Sequence, residues 1–325
     1  MVWIGAYDRW AFEGRGWWKK PVVALALFTV LVGPVGAHSA SAAPVPPTTT
    51  SYYERNANPK VLYRQGEAAG KAGAQGIVIL DFGRPGDDGV YDGTMAYNGA
   101  FISFAPIAAA IESYIVGYYR YAPSNTNLNV ALGTNNSCGT GQPCGTTLSC
   151  GCPDEPSDFV AWGEQLARTV EEIDDWAVAY RAEYGYSDNV RAVAADDAEP
   201  AYDPSYVNTY DVLSGYAQAV DGTFPTMVDY GSADPDFWTE AELLQVAYGF
   251  RPDVPMPQIY YSFQAEEWGA LLSYAKSHRR AMAIYGVLTT GAGTNTPQTA
   301  YFDMLGAATV VNDQNHIPWL SMINR

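Results

Sequence analysis

The chain has 325 residues and carries 35 acidic against 18 basic side chains, which gives a formal net charge of −17. Such a chain repels nucleic-acid phosphates, and no basic stripe interrupts it, so we expect no nucleic-acid partner. It contains only 3 histidines, and it has no nucleophile elbow, phosphate loop or dinucleotide fingerprint. These features argue against a serine hydrolase and against a nucleotide or dinucleotide cofactor, and we expect no cofactor.

The first 43 residues have the pattern of a secretory signal peptide. Four basic side chains precede an apolar run at 22–32, and small residues at 40–42 offer a cleavage site. An uncleaved membrane anchor is the alternative, but the run is shorter than the roughly 20 residues that a membrane span needs. We predict a signal peptide at 1–43, a Pro/Thr-rich linker at 44–58 and one domain at 59–325. The mature protein is expected outside the cell, without a membrane span and with a net charge of −19.

Short β-branched or aromatic runs alternate with longer amphipathic runs after the linker, which is typical of a parallel sheet wrapped by helices. The predicted strands lie at 76–82, 114–121, 129–134, 189–197, 226–230, 258–262 and 282–288. The predicted helices lie at 94–112, 159–184, 205–220, 239–248, 265–278 and 298–308. The alternation predicts an α/β fold of the TIM-like (β/α) barrel type.

Two parts of this predicted barrel fit poorly. The second and third strands would be joined by residues 122–128 alone, which is too short for a crossover helix. An eighth strand can be drawn only at 309–319. An incomplete or irregular barrel and an open sheet therefore remain alternatives.

Two segments resemble metal sites but have simpler explanations. The four cysteines share one Gly/Thr-rich stretch, without paired C-x-x-C units or a nearby histidine. In an exported chain they predict two disulfides that staple a loop, with three possible pairings. The acidic turn at 86–93 lacks the full spacing and the terminal Glu of a calcium loop, so we predict no metal site. The cysteines are Cys138, Cys144, Cys150 and Cys152.

Two carboxylates follow an apolar run that predicts a buried strand. Asp197 and Glu199 are spaced i, i+2, and Pro200 ends the strand. Alternation along a strand points both side chains to the same face, with Cα atoms about 6.5 Å apart. Sites in parallel α/β proteins are built at the carboxyl ends of strands. Clustering with Asp196 is expected to raise at least one pKa, as a general acid near neutral pH requires.

Polar residues end most of the other predicted strands as well. A mouth lined by carboxylates, amides and tyrosines suits a carbohydrate, because sugar hydroxyls need hydrogen-bond partners and sugar faces stack on aromatic rings. The predicted catalytic residues are Glu199, Asp197 and Asp81. The predicted substrate-binding residues are Asp229, Tyr230, Asn135, Gln258, Tyr260 and Tyr285. The loop from Cys138 to Cys152 is expected to border the same mouth.

Five segments carry a family resemblance: 76–83 (GIVILDFG), 117–121 (GYYRY), 130–136 (VALGTNN), 197–200 (DAEP) and 229–234 (DYGSAD). They resemble exported actinobacterial-type proteins with a glycoside-hydrolase-like barrel, most of which have no assigned activity. This resemblance implies a barrel and export, and it implies no particular reaction.

A more distant resemblance is to muramidases and chitinase-like hydrolases with an Asp-x-Glu motif on a central strand. It implies that Glu199 protonates the glycosidic oxygen and that Asp197 orients it or stabilises positive charge on the substrate. Asp81 matches a muramidase carboxylate loosely. The fuller chitinase signature is absent, since 193–196 reads VAAD.

Two functions are therefore predicted as alternatives. The first is a secreted glycoside hydrolase that acts on cell-wall or environmental polysaccharide with a pair of carboxyl groups. The second is a non-catalytic secreted or cell-surface barrel that binds a glycan or a protein.

Overall fold

The computed structural model describes residues 44–89, 92–138, 152–153, 155–203, 205–220, 224–251 and 253–324. The predicted signal peptide at 1–43 lies outside the described residues. In chain order the elements are β1 (Thr48–Tyr53), α1 (Pro59–Lys71), β2 (Gly76–Asp81), β3 (Arg84–Asp87), β4 (Asp92–Met95), β5 (Phe101–Ser103), α2 (Phe104–Tyr121), β6 (Asn127–Asn135), α3 (Pro156–Tyr184), β7 (Asn189–Asp197), α4 (Val207–Ala219), β8 (Met227–Asp229), α5 (Glu240–Tyr248), β9 (Asp253–Pro255), α6 (Ser262–Ser277), β10 (Gly286–Thr290), α7 (Pro297–Asn312) and β11 (Trp319–Asn324).

Eight of these strands form one parallel sheet. Their spatial order is β10-β11-β1-β2-β6-β7-β8-β9, which follows the chain order from β1 onward. A parallel bridge between Gln258 and Leu288 connects the two ends of the sheet, so the sheet curls into a barrel. Each of the seven helices in the described residues lies between two consecutive strands of this sheet. The predicted α/β barrel is confirmed.

The core has two layers because successive side chains of a strand point to opposite faces. On β2, Ile77 and Ile79 pack inside the barrel, whereas Val78 and Leu80 pack against the helices. Both sets are fully buried, as expected for parallel strands covered on both faces. The same alternation on β7 turns Val193 inward.

A small antiparallel sheet is inserted at the carboxyl end of β2. Strands β3, β4 and β5 pair in that order, and Asp87 lies opposite Asp92 in the acidic turn. The turn between β4 and β5 carries Tyr97, whose hydroxyl donates to Asp81. The insertion thus contributes a side chain to the mouth of the barrel.

The predicted strand at 114–121 is wrong, since these residues form the second half of α2. Its buried side chains include Ile111, Tyr114 and Tyr118, which recur every three or four residues on one helix face. Their β-branched and aromatic character favoured a strand locally. The correction also explains the short connection at 122–128, which joins a helix to a strand.

The predicted linker at 44–58 contains β1, so the barrel begins earlier than we expected. This strand pairs with β11 on one side and β2 on the other. The Ser51 hydroxyl lies 2.7 Å from that of Ser321 and accepts from the backbone N–H of Ile79 at 2.8 Å. The prolines before the strand made the stretch resemble a linker.

Several other element boundaries differ from the prediction. Helix α1 was not predicted. About half of the predicted helix at 94–112 lies before α2, and that half covers the end of β4 and all of β5. The predicted strand at 258–262 contributes only the bridge at Gln258, because β9 ends at Pro255. Most of the predicted strand at 309–319 is helix or loop, and β11 begins at Trp319.

Candidate functional site

A cavity of about 360 Å³ opens at the carboxyl ends of the strands. It is lined by Tyr53, Arg55, Tyr97, Asp197 and Tyr202. Asp197 reaches it because it shares the inward face of β7 with Val193. The cavity therefore has an aromatic wall, one basic group and one carboxyl group.

Asp197 is almost completely buried, with an exposed fraction of 3%. The side-chain amide of Gln258 donates a hydrogen bond to its Oδ1 atom. Burial raises the pKa of Asp197 well above its usual value, and the nearby carboxyl groups of Glu199 and Asp81 raise it further. Both effects disfavour the charged form of Asp197.

Asp81 ends β2 and is fully buried below the mouth. It accepts hydrogen bonds from the hydroxyls of Tyr97 and Tyr230, each at 2.6 Å, and from the backbone N–H of Gly83 at 2.7 Å. Burial raises the pKa of Asp81 to about 6, although these three donors favour the charged form. With a pKa of about 6, Asp81 is mostly ionised at neutral pH.

Glu199 lies in the loop after β7, and the side-chain amide of Asn136 forms hydrogen bonds with both its backbone N–H and its carbonyl group. The Glu199 N–H donates to Asn136 Oδ1 at 3.0 Å, and Asn136 Nδ2 donates to the Glu199 carbonyl at 3.2 Å. The Ser232 hydroxyl donates to Glu199 Oε2 at 2.6 Å. Burial raises the pKa of Glu199, while the bond from Ser232 lowers it.

Two more buried carboxyl groups, those of Asp196 and Asp229, lie on the outer face of the sheet. On β8, Asp229 is two residues after Met227, which packs against the helices, so both side chains point to that face. Burial raises the pKa of Asp229 to about 8 and that of Asp196 to about 7. Asp229 was predicted to bind substrate, but its side chain is on the side of the sheet away from the cavity.

Most of the other predicted residues do meet at the mouth. Asn135 donates to the Tyr97 hydroxyl at 2.9 Å, and the Tyr260 hydroxyl lies 3.4 Å from that of Tyr53. Tyr285 is an exception. It precedes β10 at the opposite end of the barrel, with its ring centroid 6.0 Å from that of Trp319.

Sequence reasoning missed four of the five residues that line the cavity. Tyr53 and Arg55 were hidden by the assignment of 44–58 to a linker, and Tyr97 lies in the hairpin insertion. The rings of Tyr53 and Tyr97 pack edge to face with centroids 4.9 Å apart. Tyr202 follows Asp197 closely, and its proximity to the Asp-x-Glu motif was the one available signal.

A disulfide joins Cys138 to Cys152. Cys138 follows β6, so the disulfide lies on the same side of the barrel as the mouth, and Arg84 Nη1 donates to Cys152 Sγ at 3.1 Å. Cys144 and Cys150 lie outside the described residues, as does the loop at 139–151. A second disulfide and the position of that loop stay predictions.

Among the described residues, no group of three or more His, Cys, Asp or Glu side chains is placed to hold a metal ion. No helix in that part of the chain has the length and apolar character of a membrane span.

The fold and the mouth together define a parallel (β/α) barrel with buried carboxyl groups and tyrosines at the carboxyl ends of its strands. No protein-family model matches the chain, and neither does any curated protein.

Proposed function

We propose that this protein is secreted and hydrolyses glycosidic bonds of a cell-wall or environmental polysaccharide bound at the mouth of the barrel. One observation carries the proposal: Asp197 is a buried carboxyl that lines a tyrosine-walled cavity of about 360 Å³. Ligand sites of roughly 300–1,000 Å³ are typical for small molecules. Tyrosine rings stack on sugar faces, while their hydroxyls bond to sugar hydroxyls.

Hydrolysis by two carboxyl groups requires one protonated and one ionised group. Asp197 is the proposed general acid, because it lines the cavity and because burial and the nearby Glu199 carboxyl raise its pKa. Glu199 is the proposed ionised partner, because the hydrogen bond from the Ser232 hydroxyl favours its charged form and opposes the effect of burial. These roles are the reverse of those that the resemblance to muramidases implies.

Asp81 is proposed as a positioning residue. Its carboxylate accepts from the hydroxyls of Tyr97 and Tyr230, which orients Tyr97 in the cavity wall. Both oxygen atoms of Asp81 bond to protein groups, which suits this role. Among the described residues, Asp197 is the one carboxyl group that lines the cavity, and this favours the alternative function, a barrel that binds glycan without catalysis.

The test compares the release of reducing ends from peptidoglycan, chitin and other polysaccharides by the purified protein and two variants. We expect Asp197→Asn and Glu199→Gln each to lower the rate by about 10²–10⁴, the usual contribution of a general acid or base. Saccharide affinity is expected to remain in both variants. Asp175→Asn, an exposed substitution on α3, is the matched control and keeps full activity.

Three other outcomes decide between the functions. Saccharide binding without release from any substrate supports the non-catalytic barrel. Release that survives both substitutions contradicts the assigned carboxyl pair. Absence of both binding and release overturns the proposed function.

A further inference from the structure

Arg55 lies just after β1 and lines the mouth cavity beside Tyr53 and Tyr97. It is the only basic residue that the structure places in the lining of this cavity, among the residues described. The three ion pairs found in the described part of the chain do not include it. Among the described residues, no carboxylate forms an ion pair with the exposed guanidinium of Arg55.

None of the carboxyl groups described near the cavity forms an ion pair with Arg55. Burial and neighbouring carboxyl groups raise the pKa of Asp197, which disfavours its charged form. Asp81 lies below, and the hydroxyls of Tyr97 and Tyr230 cover its Oδ2 atom. Glu199 is not part of the cavity lining. The lining thus combines one basic side chain with tyrosine rings, tyrosine hydroxyls and a buried carboxyl group whose charged form is disfavoured.

We propose that the saccharide bound at the mouth is acidic, and that Arg55 recognises the carboxylate of a hexuronate unit. This inference rests on the proposed saccharide binding. A guanidinium presents two parallel N–H groups that match a carboxylate, and the pair is stronger than neutral hydrogen bonds. The tyrosine rings provide the stacking surface for the sugar ring, and the tyrosine hydroxyls and the Asp197 carboxyl provide hydrogen-bonding groups for its hydroxyls.

The test is calorimetric titration of the purified protein with an oligogalacturonate and with its fully methyl-esterified form, which keeps the sugar chain but lacks the charge. We expect the charged ligand to bind about 10-fold to 100-fold more tightly, as charge-assisted hydrogen bonds provide. Arg55→Gln is expected to abolish this preference and to leave the affinity for the ester unchanged. Arg55→Lys is expected to retain part of the preference, because an ammonium keeps the charge but lacks the two parallel N–H groups of a guanidinium.

Arg168→Gln, which removes an exposed arginine from α3, is the matched control and keeps the preference. A second pair of probes, a muramyl oligosaccharide and its carboxyl-reduced form, distinguishes a uronate from a lactyl carboxylate. Preference for the muramyl acid alone overturns the assignment to hexuronate.

Equal affinity for acid and ester, or a preference that survives Arg55→Gln, overturns the role of Arg55 and leaves saccharide binding intact. Binding of no saccharide, charged or neutral, overturns the proposed function itself. If Arg55→Gln melts at the same temperature as the wild type, the loss of its preference for the charged ligand is not caused by unfolding.

Discussion

Buried carboxyl groups are the dominant feature at the scale of single residues. Burial raises the pKa of Asp81 to about 6, that of Asp196 to about 7 and that of Asp229 to about 8. A carboxyl with a raised pKa binds its proton more tightly in the folded state than in the unfolded state. The resulting stabilisation is complete below the unfolded-state pKa and is lost as the pH rises through the folded-state pKa.

The free energy of unfolding is therefore expected to fall as the pH rises from about 4 to about 8, and urea titrations at a series of pH values measure it.

Asp229→Asn removes the group with the highest of these three pKa values and keeps an acceptor for the N–H of Gly231. We expect this variant to be more stable than the wild type at pH 8, by on the order of 2 kcal/mol, and to gain much less at pH 4. Asp175→Asn, on the surface of α3, is the control without such a gain. Stability that increases with pH over this interval contradicts the argument.

At the scale of secondary-structure elements, the packing of α3 against α4 explains why two positions in these helices are glycine. Helices α3 and α4 touch through their backbones, since a Cβ atom at Gly163 would lie 2.1 Å from the carbonyl oxygen of Val212. A Cβ atom at Gly215 would likewise lie 2.0 Å from the carbonyl oxygen of Val160. Glycine at both positions therefore sets the separation of the two helices.

Gly163→Ala is expected to destabilise the protein by about 1–3 kcal/mol, because the helices must move apart to accept the methyl group. Gly306→Ala is the matched control in α7, where an added Cβ meets nothing within 4 Å. This control is expected to gain up to about 1 kcal/mol from helix propensity. Denaturant unfolding measures both changes. Similar effects of the two substitutions would show that backbone contact between α3 and α4 is not what selects glycine.

The closure of the barrel is decided at the scale of the whole molecule. Strand β1 pairs with β11 at one side and β2 at the other, so the first and last strands of the described residues are neighbours. Without β1, both neighbours would expose unpaired backbone groups and apolar side chains. Residues 48–53 are thus part of the domain.

A chain shortened to begin at residue 59, the boundary predicted from the sequence, is expected to lose cooperative unfolding. A chain that begins at residue 44 keeps β1 and is expected to unfold in one transition. Near-ultraviolet circular dichroism during thermal denaturation distinguishes the two. If both chains melt at the same temperature with the same amplitude, β1 is not needed to close the barrel.

The sequence correctly predicted those helices and strands in which the pattern of apolar residues extends over many positions. Helix α3 was predicted at 159–184 and is found at Pro156–Tyr184, because its apolar residues follow a helical period over many turns. Strand β7 was predicted at 189–197 and is found at Asn189–Asp197. The prediction of a strand at 114–121 was wrong, because a short apolar run is equally compatible with a buried strand and a buried helix.

The sequence by itself determined the alternation of strands and helices, the strand that ends in Asp197 and the concentration of carboxyl groups near it. These features depend on residues close together in the chain. Only the tertiary structure decided that β1 closes the barrel, that Asp197 rather than Asp229 lines the cavity, and that Tyr53, Arg55 and Tyr97 line it too. The physical reason is that strand pairing and burial join residues far apart in sequence, and a carboxyl's pKa follows from what buries it.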